Sequence, residues 1–109
     1  MTLNQQTGLT DKDLALIRQS AADYPDIEAL MVFGSRAKGN YRKGSDVDIA
    51  VVGKLVKDDT LSKLTDQLNE ELPMPYFFDV VHYNTLPAEA LKEHIDRVGL
   101  TLYQKNGPN

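Results

Sequence analysis

Cysteine is absent from this 109-residue sequence, and so is any long hydrophobic run. Without thiols the chain has neither a disulfide framework nor a thiolate metal site. Its longest apolar stretches, such as Ile49–Val52, are far shorter than the roughly 20 residues that a membrane-spanning helix requires. The N-terminal residues lack the basic and apolar regions of a secretory signal peptide. We therefore expect a cytoplasmic protein that does not associate with a membrane.

Glycine and proline are also scarce, at 7 and 5 residues, and the formal net charge is only −4. Together with a hydrophobic content of 41%, these values exclude disordered, collagen-like and low-complexity chains. A weakly acidic chain has no extensive nucleic-acid-binding surface, although a few N–H groups and Mg²⁺ suffice to hold a nucleotide. We expect a single domain over residues 10–105, with flexible tails at 1–9 and 106–109.

The hydrophobic pattern predicts helices alternating with strands. Apolar residues at helical spacing follow Thr10, which fits an N-cap, and Pro87 fits the first position of the last helix, with Gly99 just after its end. Short runs rich in apolar, β-branched and aromatic residues predict the strands. In chain order the predicted elements are a helix over Asp11–Asp23, a strand over Ile27–Phe33, a short helix from Ser35, a strand over Val47–Val52, a helix over Asp59–Leu72, a strand over Tyr76–Tyr83, a helix from Pro87 to Val98 and a strand over Leu100–Gln104. This order indicates the α/β (α+β) class, with a small mixed β-sheet and helices packed mainly on one face.

Two aspartates share one face of the second predicted strand. Because side chains alternate along a strand, Asp46 and Asp48 point away from the core face that Val47 and Ile49 form. Carboxylates at this spacing can hold hard cations, although an isolated pair is more often a solvated strand entry. Asp79 interrupts an otherwise apolar strand, where an unpaired carboxylate is costly to desolvate. A metal shared by the three carboxylates would satisfy them all.

Gly34 and Ser35 lie where the first predicted strand turns into a short helix. Free N–H groups at such a turn attract anions, and glycine allows a phosphate to approach closely. Taken alone, the pair is more readily an ordinary turn with Ser35 as N-cap. A serine nucleophile is disfavoured, because no G-x-S-x-G elbow surrounds Ser35 and both histidines lie far along the chain. His82 reads as a structural residue and His94 as a residue on a helix surface.

The combination of these motifs is more specific than any of them alone. Ten residues separate Ser35 from Asp46, and a third carboxylate follows in a later strand. The segments Gly34-Ser35-Arg36-Ala37-Lys38-Gly39 and Ser45-Asp46-Val47-Asp48-Ile49 closely resemble the signature of the DNA polymerase β-like nucleotidyltransferase superfamily. The similarity is greatest to its minimal branch, the MNT domains of bacteria and archaea, and it covers most of the chain.

The resemblance implies a turn that holds a nucleoside triphosphate and two strands whose aspartates bind two Mg²⁺ ions. An acceptor hydroxyl would attack the α-phosphate, and pyrophosphate would leave. Carried onto this sequence, the expected site comprises the catalytic and metal-binding residues Asp46, Asp48 and Asp79 and the phosphate-binding residues Gly34 and Ser35. Arg36 and Lys38 lie just inside the motif and are expected to bind nucleotide, with surface solubility as the alternative interpretation.

The resemblance also implies a partner. Larger members of the superfamily carry a second domain that binds the acceptor, and this chain has no room for one. Minimal domains are often paired with a helical HEPN-type protein, and some pairs act as toxin and antitoxin, with adenylylation of a tyrosine on the HEPN ribonuclease. We therefore expect AMP transfer from ATP to such a tyrosine.

Alternative functions remain open at this point. The chain would also fit a non-catalytic module that neutralises or scaffolds a HEPN-type partner by contact alone, although such a module has no chemical need for three carboxylates and a Gly-Ser turn. Transfer to a small aminoglycoside-like alcohol ranks lower, because no acceptor pocket can be located. ATP is favoured from the resemblance alone. An exposed edge strand at Leu100–Gln104 would suit a homo-oligomer or a partner.

Overall fold

Four strands form one mixed sheet in the computed structural model, which describes residues 2–106. The strands are β1 (Ala29–Phe33), β2 (Val47–Val52), β3 (Phe78–His82) and β4 (Leu100–Gln104). Their order across the sheet is β3-β2-β1-β4, with β1 antiparallel to both β2 and β4 and with β2 parallel to β3. The predicted mixed sheet is confirmed, and β3 and β4 are its edges.

Helices cover the two faces of this sheet unequally. The helices are α1 (Leu3–Thr7), α2 (Asp11–Ala22), α3 (Gly34–Lys38), α4 (Asp58–Asp66) and α5 (Glu89–Val98), and α4 continues into a π-helical turn over Gln67–Glu71. The main core cluster joins one face to α2 and α4 through side chains such as Ile17 and Leu64. A smaller cluster of Phe33, Ala50 and Ile95 places α5 on the other face. Among residues 2–106 no helix is long and apolar enough to cross a membrane.

The observed alternation in β2 is the predicted one. Val47, Ile49 and Val51 are fully buried in the main cluster, and Ala50 is buried in the smaller cluster on the opposite face. Asp48 lies between them in sequence and shares the face of Ala50. β2 has the predicted bounds. Its apolar residues pack on both faces of the sheet, except near its start, where Asp48 occupies a position on the face of Ala50.

The N-terminal segment differs from the expected flexible tail. Residues 3–7 form α1, whose start is closed by a capping box between Thr2 and Gln5. Leu9, at 1% exposure, is buried in the main cluster, and the expectation is therefore wrong for residues 2–9. At the other end only Asn106 of the expected 106–109 tail is described, and 107–109 lie outside the described residues.

Several element boundaries also differ from the predicted ones. The helix predicted to begin at Pro87 has its N-cap at Ala88, whose backbone is extended, so α5 begins at Glu89. The last turn of the predicted helix over 59–72 is the π-helical turn, in which the backbone winds more widely than in α4. β1 and β3 begin two residues later than predicted, although Glu28 and Phe77, which directly precede them, still make backbone hydrogen bonds to β2.

Side chains bind the backbone of both edge strands. On β3, the Asn69 amide nitrogen donates to the carbonyl oxygen of Phe78 at 3.0 Å, and the Asn69 amide oxygen accepts from the N–H of Phe78 at 2.7 Å. On β4, Nε of Arg18 donates to the carbonyl oxygen of Leu102 at 2.7 Å. Asn69 therefore takes the place of a neighbouring strand at Phe78.

The burial of Leu9 predicts that the N-terminal segment stabilises the domain. Leu9→Ala is expected to lower the free energy of unfolding by about 2–5 kcal/mol, the usual cost of removing a buried leucine side chain. Leu55→Ala is a matched control, because Leu55 is 80% exposed. Urea denaturation followed by circular dichroism measures both values. Equal stability of the two variants would show that residues 2–9 are not part of the core.

Candidate active site

Three aspartates lie at the end of the sheet where β2 and β3 begin. Asp48 is the register partner of Phe33 on β1 and of Asp79 on β3. Asp46 precedes β2 directly, and Asp46 and Asp79 are exposed whereas Asp48 is partly buried. The structure thus brings the three predicted carboxylates to one end of two neighbouring strands, on the face that carries α5.

The central carboxylate of this group is electrostatically strained. Burial raises the pKa of Asp48 above the ordinary value of 3.8, and the negative charges of Asp79 and then Asp46 raise it further. His94 acts in the opposite direction and lowers the pKa of Asp48. A cation bound beside Asp48 would relieve this repulsion, so the electrostatics favour a positively charged ligand at this end of the sheet.

The donor set suits a hard divalent cation that also binds a substrate. Carboxylate oxygens are the ligands that Mg²⁺ prefers in proteins. Within residues 2–106 no three acidic or histidine side chains converge closely enough to enclose an ion. Mg²⁺ is usually held by one or two carboxylates together with water and substrate phosphates. The open arrangement of Asp46, Asp48 and Asp79 therefore fits ions that bind together with a nucleotide.

The turn after β1 lies against the carboxylate of Asp48. β1 ends at Phe33, and α3 begins at Gly34, whose φ is 73°. A Cβ atom at Gly34 would overlap the carboxylate of Asp48, so glycine is needed both for the left-handed backbone and for this close approach. Ser35, which is partly buried, follows in the first turn of α3. Gly34 and Asp48 are thus adjacent in space.

His94 also belongs to this site, and the interpretation of it as a helix-surface residue is wrong. Its Nε2 accepts a hydrogen bond of 3.2 Å from the N–H of Gly34, and its ring meets the edge of the Phe33 ring at a centroid distance of 6.2 Å. Because Nε2 accepts, the ring nitrogen that carries the proton in this arrangement is Nδ1. The sequence held a signal, since position 94 completes the helical stripe of Leu91, Ile95 and Val98.

Arg36 lies outside the site, which contradicts the expectation that it binds nucleotide. Only 2% of Arg36 is exposed, and its guanidinium donates to the carbonyl oxygens of Thr7 and Ser45 at 2.8–3.1 Å. The rings of Tyr41 and Tyr76 lie on the guanidinium, each at 4.8 Å from Cζ. Arg36 is therefore a buried cation held by carbonyl groups and aromatic rings.

The remaining predicted residues divide between the surface and the core. Lys38 is exposed at the C-terminal end of α3, and its role in binding nucleotide stays a prediction. His82 is 8% exposed, and its Nε2 lies 2.8 Å from the carbonyl oxygen of Gly53. His82 is therefore a structural residue, as predicted.

Comparison with known proteins places this geometry in a family. A family model described as polymerase β, nucleotidyltransferase, matches residues 6–107. The Haemophilus influenzae protein named probable protein adenylyltransferase MntA is 25% identical over 105 residues, which cover 96% of this chain and 91% of that protein.

Solved structures share the fold. A toxin–antitoxin structure with AMP-PNP is 22% identical, with a TM-score of 0.70 over 86% of this chain and 75% of the matched one. A complex of the tri-AMPylated Shewanella oneidensis HEPN toxin with its MNT antitoxin is 19% identical, with a TM-score of 0.59 over 94% of this chain and 73% of the matched one. At these identities the likeness establishes the fold.

The raised pKa of Asp48 predicts a stability that depends on pH. A folded carboxyl group with a raised pKa binds its proton more tightly than the unfolded chain does, so its contribution to stability falls as pH rises above 3.8. Asp48→Asn is therefore expected to raise the Tm of the ligand-free protein by roughly 2–5 °C at about pH 7 and to leave it unchanged at about pH 3. Thermal melts at both pH values measure this, and an equal effect at the two would contradict the assignment.

The contacts of Arg36 predict a structural role for its charge. Arg36→Met keeps the aliphatic stem but removes every guanidinium donor, and we expect a loss of about 2–4 kcal/mol in the free energy of unfolding. Lys38→Met is the matched control, because Lys38 is exposed. Chemical denaturation measures both. An Arg36→Met variant of normal stability that binds ATP less tightly would restore the nucleotide-binding interpretation.

Proposed function

The chain belongs to the polymerase β nucleotidyltransferase family, and from this premise we propose that it transfers AMP from ATP to a tyrosine hydroxyl of a HEPN-type partner protein. The observation that carries the proposal is the contact between the Gly34 turn and Asp48, with Asp79 paired to Asp48 across the sheet. A phosphate-binding turn and a carboxylate cluster in contact are the two parts that nucleotidyl transfer requires. A cytoplasmic location is part of the same proposal.

The comparisons supply the reasons to favour a protein acceptor. The similar Haemophilus influenzae protein is named as a probable protein adenylyltransferase. In one structural neighbour the HEPN toxin is AMPylated, and in another a toxin–antitoxin structure contains AMP-PNP. Since this chain shares their fold and matches most of the relative's length, a HEPN-type partner and ATP are the acceptor and donor that we propose.

In the proposed reaction the turn binds the phosphates and the carboxylates serve the attacking hydroxyl. Gly34 and Ser35 hold the β- and γ-phosphates through backbone N–H groups. The acceptor oxygen attacks the α-phosphorus in line, the bond from this phosphorus to the bridging oxygen breaks, and pyrophosphate leaves. Asp79, on the edge strand, accepts the hydroxyl proton.

Asp46, Asp48 and Asp79 are the residues that would hold two Mg²⁺ ions, which supply charge neutralisation for the phosphates and a lower pKa for the attacking hydroxyl. Asp48 lies between the turn and Asp79, so it is the carboxylate best placed to serve both sides of the reaction. His94 holds the N–H of Gly34 through Nε2, and a phosphate that binds this N–H would take its place.

Transfer is tested by the fate of two labels. We expect the partner to acquire label from ATP labelled at the α-phosphate and none from ATP labelled at the γ-phosphate, because AMP is transferred and pyrophosphate leaves. Asp48→Asn is expected to lower the rate at least about 100-fold, whereas Asp59→Asn, an exposed acid on α4, serves as a matched control with an unchanged rate. Chelation with EDTA should abolish transfer, and added Mg²⁺ should restore it.

The same experiment separates catalysis from neutralisation by contact. Stable binding of the partner without incorporated label, together with no rise in Tm on addition of Mg²⁺ and ATP, would support the non-catalytic alternative. A partner that acquires label from γ-labelled ATP and none from α-labelled ATP would indicate a phosphotransferase. Either result would contradict the proposed function.

A further inference from the structure

Phe77 is an exposed aromatic residue beside the carboxylates. Of the large hydrophobic side chains in residues 2–106, two are exposed, Phe77 at 60% and Leu55 at 80%. Leu55 lies in the turn after β2, at the end of that strand away from Asp46, whereas Phe77 directly precedes β3. A single exposed apolar residue is ordinary by itself, and it is the position next to the carboxylates that distinguishes Phe77 from Leu55.

The position of Phe77 is fixed by a hydrogen bond to the neighbouring strand. Its carbonyl oxygen accepts from the N–H of Val47 at 2.9 Å, which places Phe77 next to the start of β2. Side chains alternate along extended backbone, so Phe77 lies on the same face as Asp79 and Val81. Val81 packs in the smaller cluster beneath α5, which identifies this as the carboxylate face.

The order of the strands determines whether the leaving group or the attacking hydroxyl lies near Phe77. The Gly34 turn ends β1, Asp48 lies on β2, and Asp79 lies on the edge strand β3. In-line displacement puts the leaving group and the attacking oxygen on opposite sides of the phosphorus. With pyrophosphate at the turn on the β1 side, the attacking oxygen enters over β3. Phe77 therefore borders the path of the acceptor.

We propose that Phe77 is an acceptor-specificity residue, whose ring packs against the aromatic ring that carries the attacking phenolic hydroxyl. This inference rests on the proposed function and assigns the selection of its tyrosine acceptor to Phe77. Two aromatic rings gain contact area and a favourable edge-to-face or offset geometry when they pack, whereas serine, threonine or a sugar hydroxyl brings no ring. Phe77 thus favours tyrosine over aliphatic alcohols.

Binding of two small probes tests the proposal without turnover. The protein is saturated with Mg²⁺ and α,β-methylene ATP, which cannot release pyrophosphate, and titrated with N-acetyl-tyrosinamide or N-acetyl-serinamide while amide resonances are followed by NMR. We expect the tyrosine probe to shift the resonances of residues 77–79 and the serine probe to leave them unchanged. Phe77→Ala should weaken binding of the tyrosine probe at least fivefold, and Leu55→Ala, the matched exposed residue, should not change it.

Three outcomes would overturn the assignment. Equal binding of the two probes would show that the site does not select tyrosine. Unchanged binding of the tyrosine probe by Phe77→Ala would show that the Phe77 ring does not contact it. Weaker binding of the nucleotide by Phe77→Ala, with the tyrosine probe unaffected, would show that the ring stacks on the base. Phe77→Trp, which keeps an aromatic ring, should retain preference for the tyrosine probe. Failure of the labelling experiment with these probe results intact would reject the transfer reaction and not the aromatic site.

Discussion

The buried guanidinium of Arg36 is the contact on which the geometry of the site depends. It binds the carbonyl oxygens of Thr7 and Ser45, and Ser45 directly precedes the first of the three aspartates. Arg36 itself stands two residues after Gly34, so one side chain joins the Gly34 turn, the N-terminal segment and the start of β2. A buried cation holds its acceptors firmly, because a displaced carbonyl would leave it unpaired.

The anchoring of these segments by Arg36 matters because the negatively charged aspartates repel one another. The raised pKa of Asp48 shows that its neighbours and its burial disfavour its charged form. The apolar residues of β2 and the contact with Gly34 nevertheless hold the carboxylate in place. The strain is thus located where a bound cation would relieve it, as is usual for sites that trade stability for function.

The periodic elements were predictable because each buries one continuous face in a common core. β2 was predicted with its observed bounds, since alternation alone separates Val47 and Ile49 from Asp48. The errors concern residues whose role depends on distant contacts. Arg36 carries a charge suited to phosphate, but residues in three other segments enclose it, and His94 meets Gly34 across 60 positions of sequence. A local pattern can place His94 on the packed stripe of its helix, but it does not encode which distant residue a side chain contacts.

The side chains that bind the sheet edges have a consequence for assembly. Asn69 occupies both backbone groups of Phe78 on β3, and Arg18 occupies a carbonyl of β4. Unpaired edges invite another chain to add a strand, which leads to strand exchange or fibrils. With these positions occupied, fewer backbone groups remain at the two edges for a further strand to pair with, which guards against strand-to-strand aggregation.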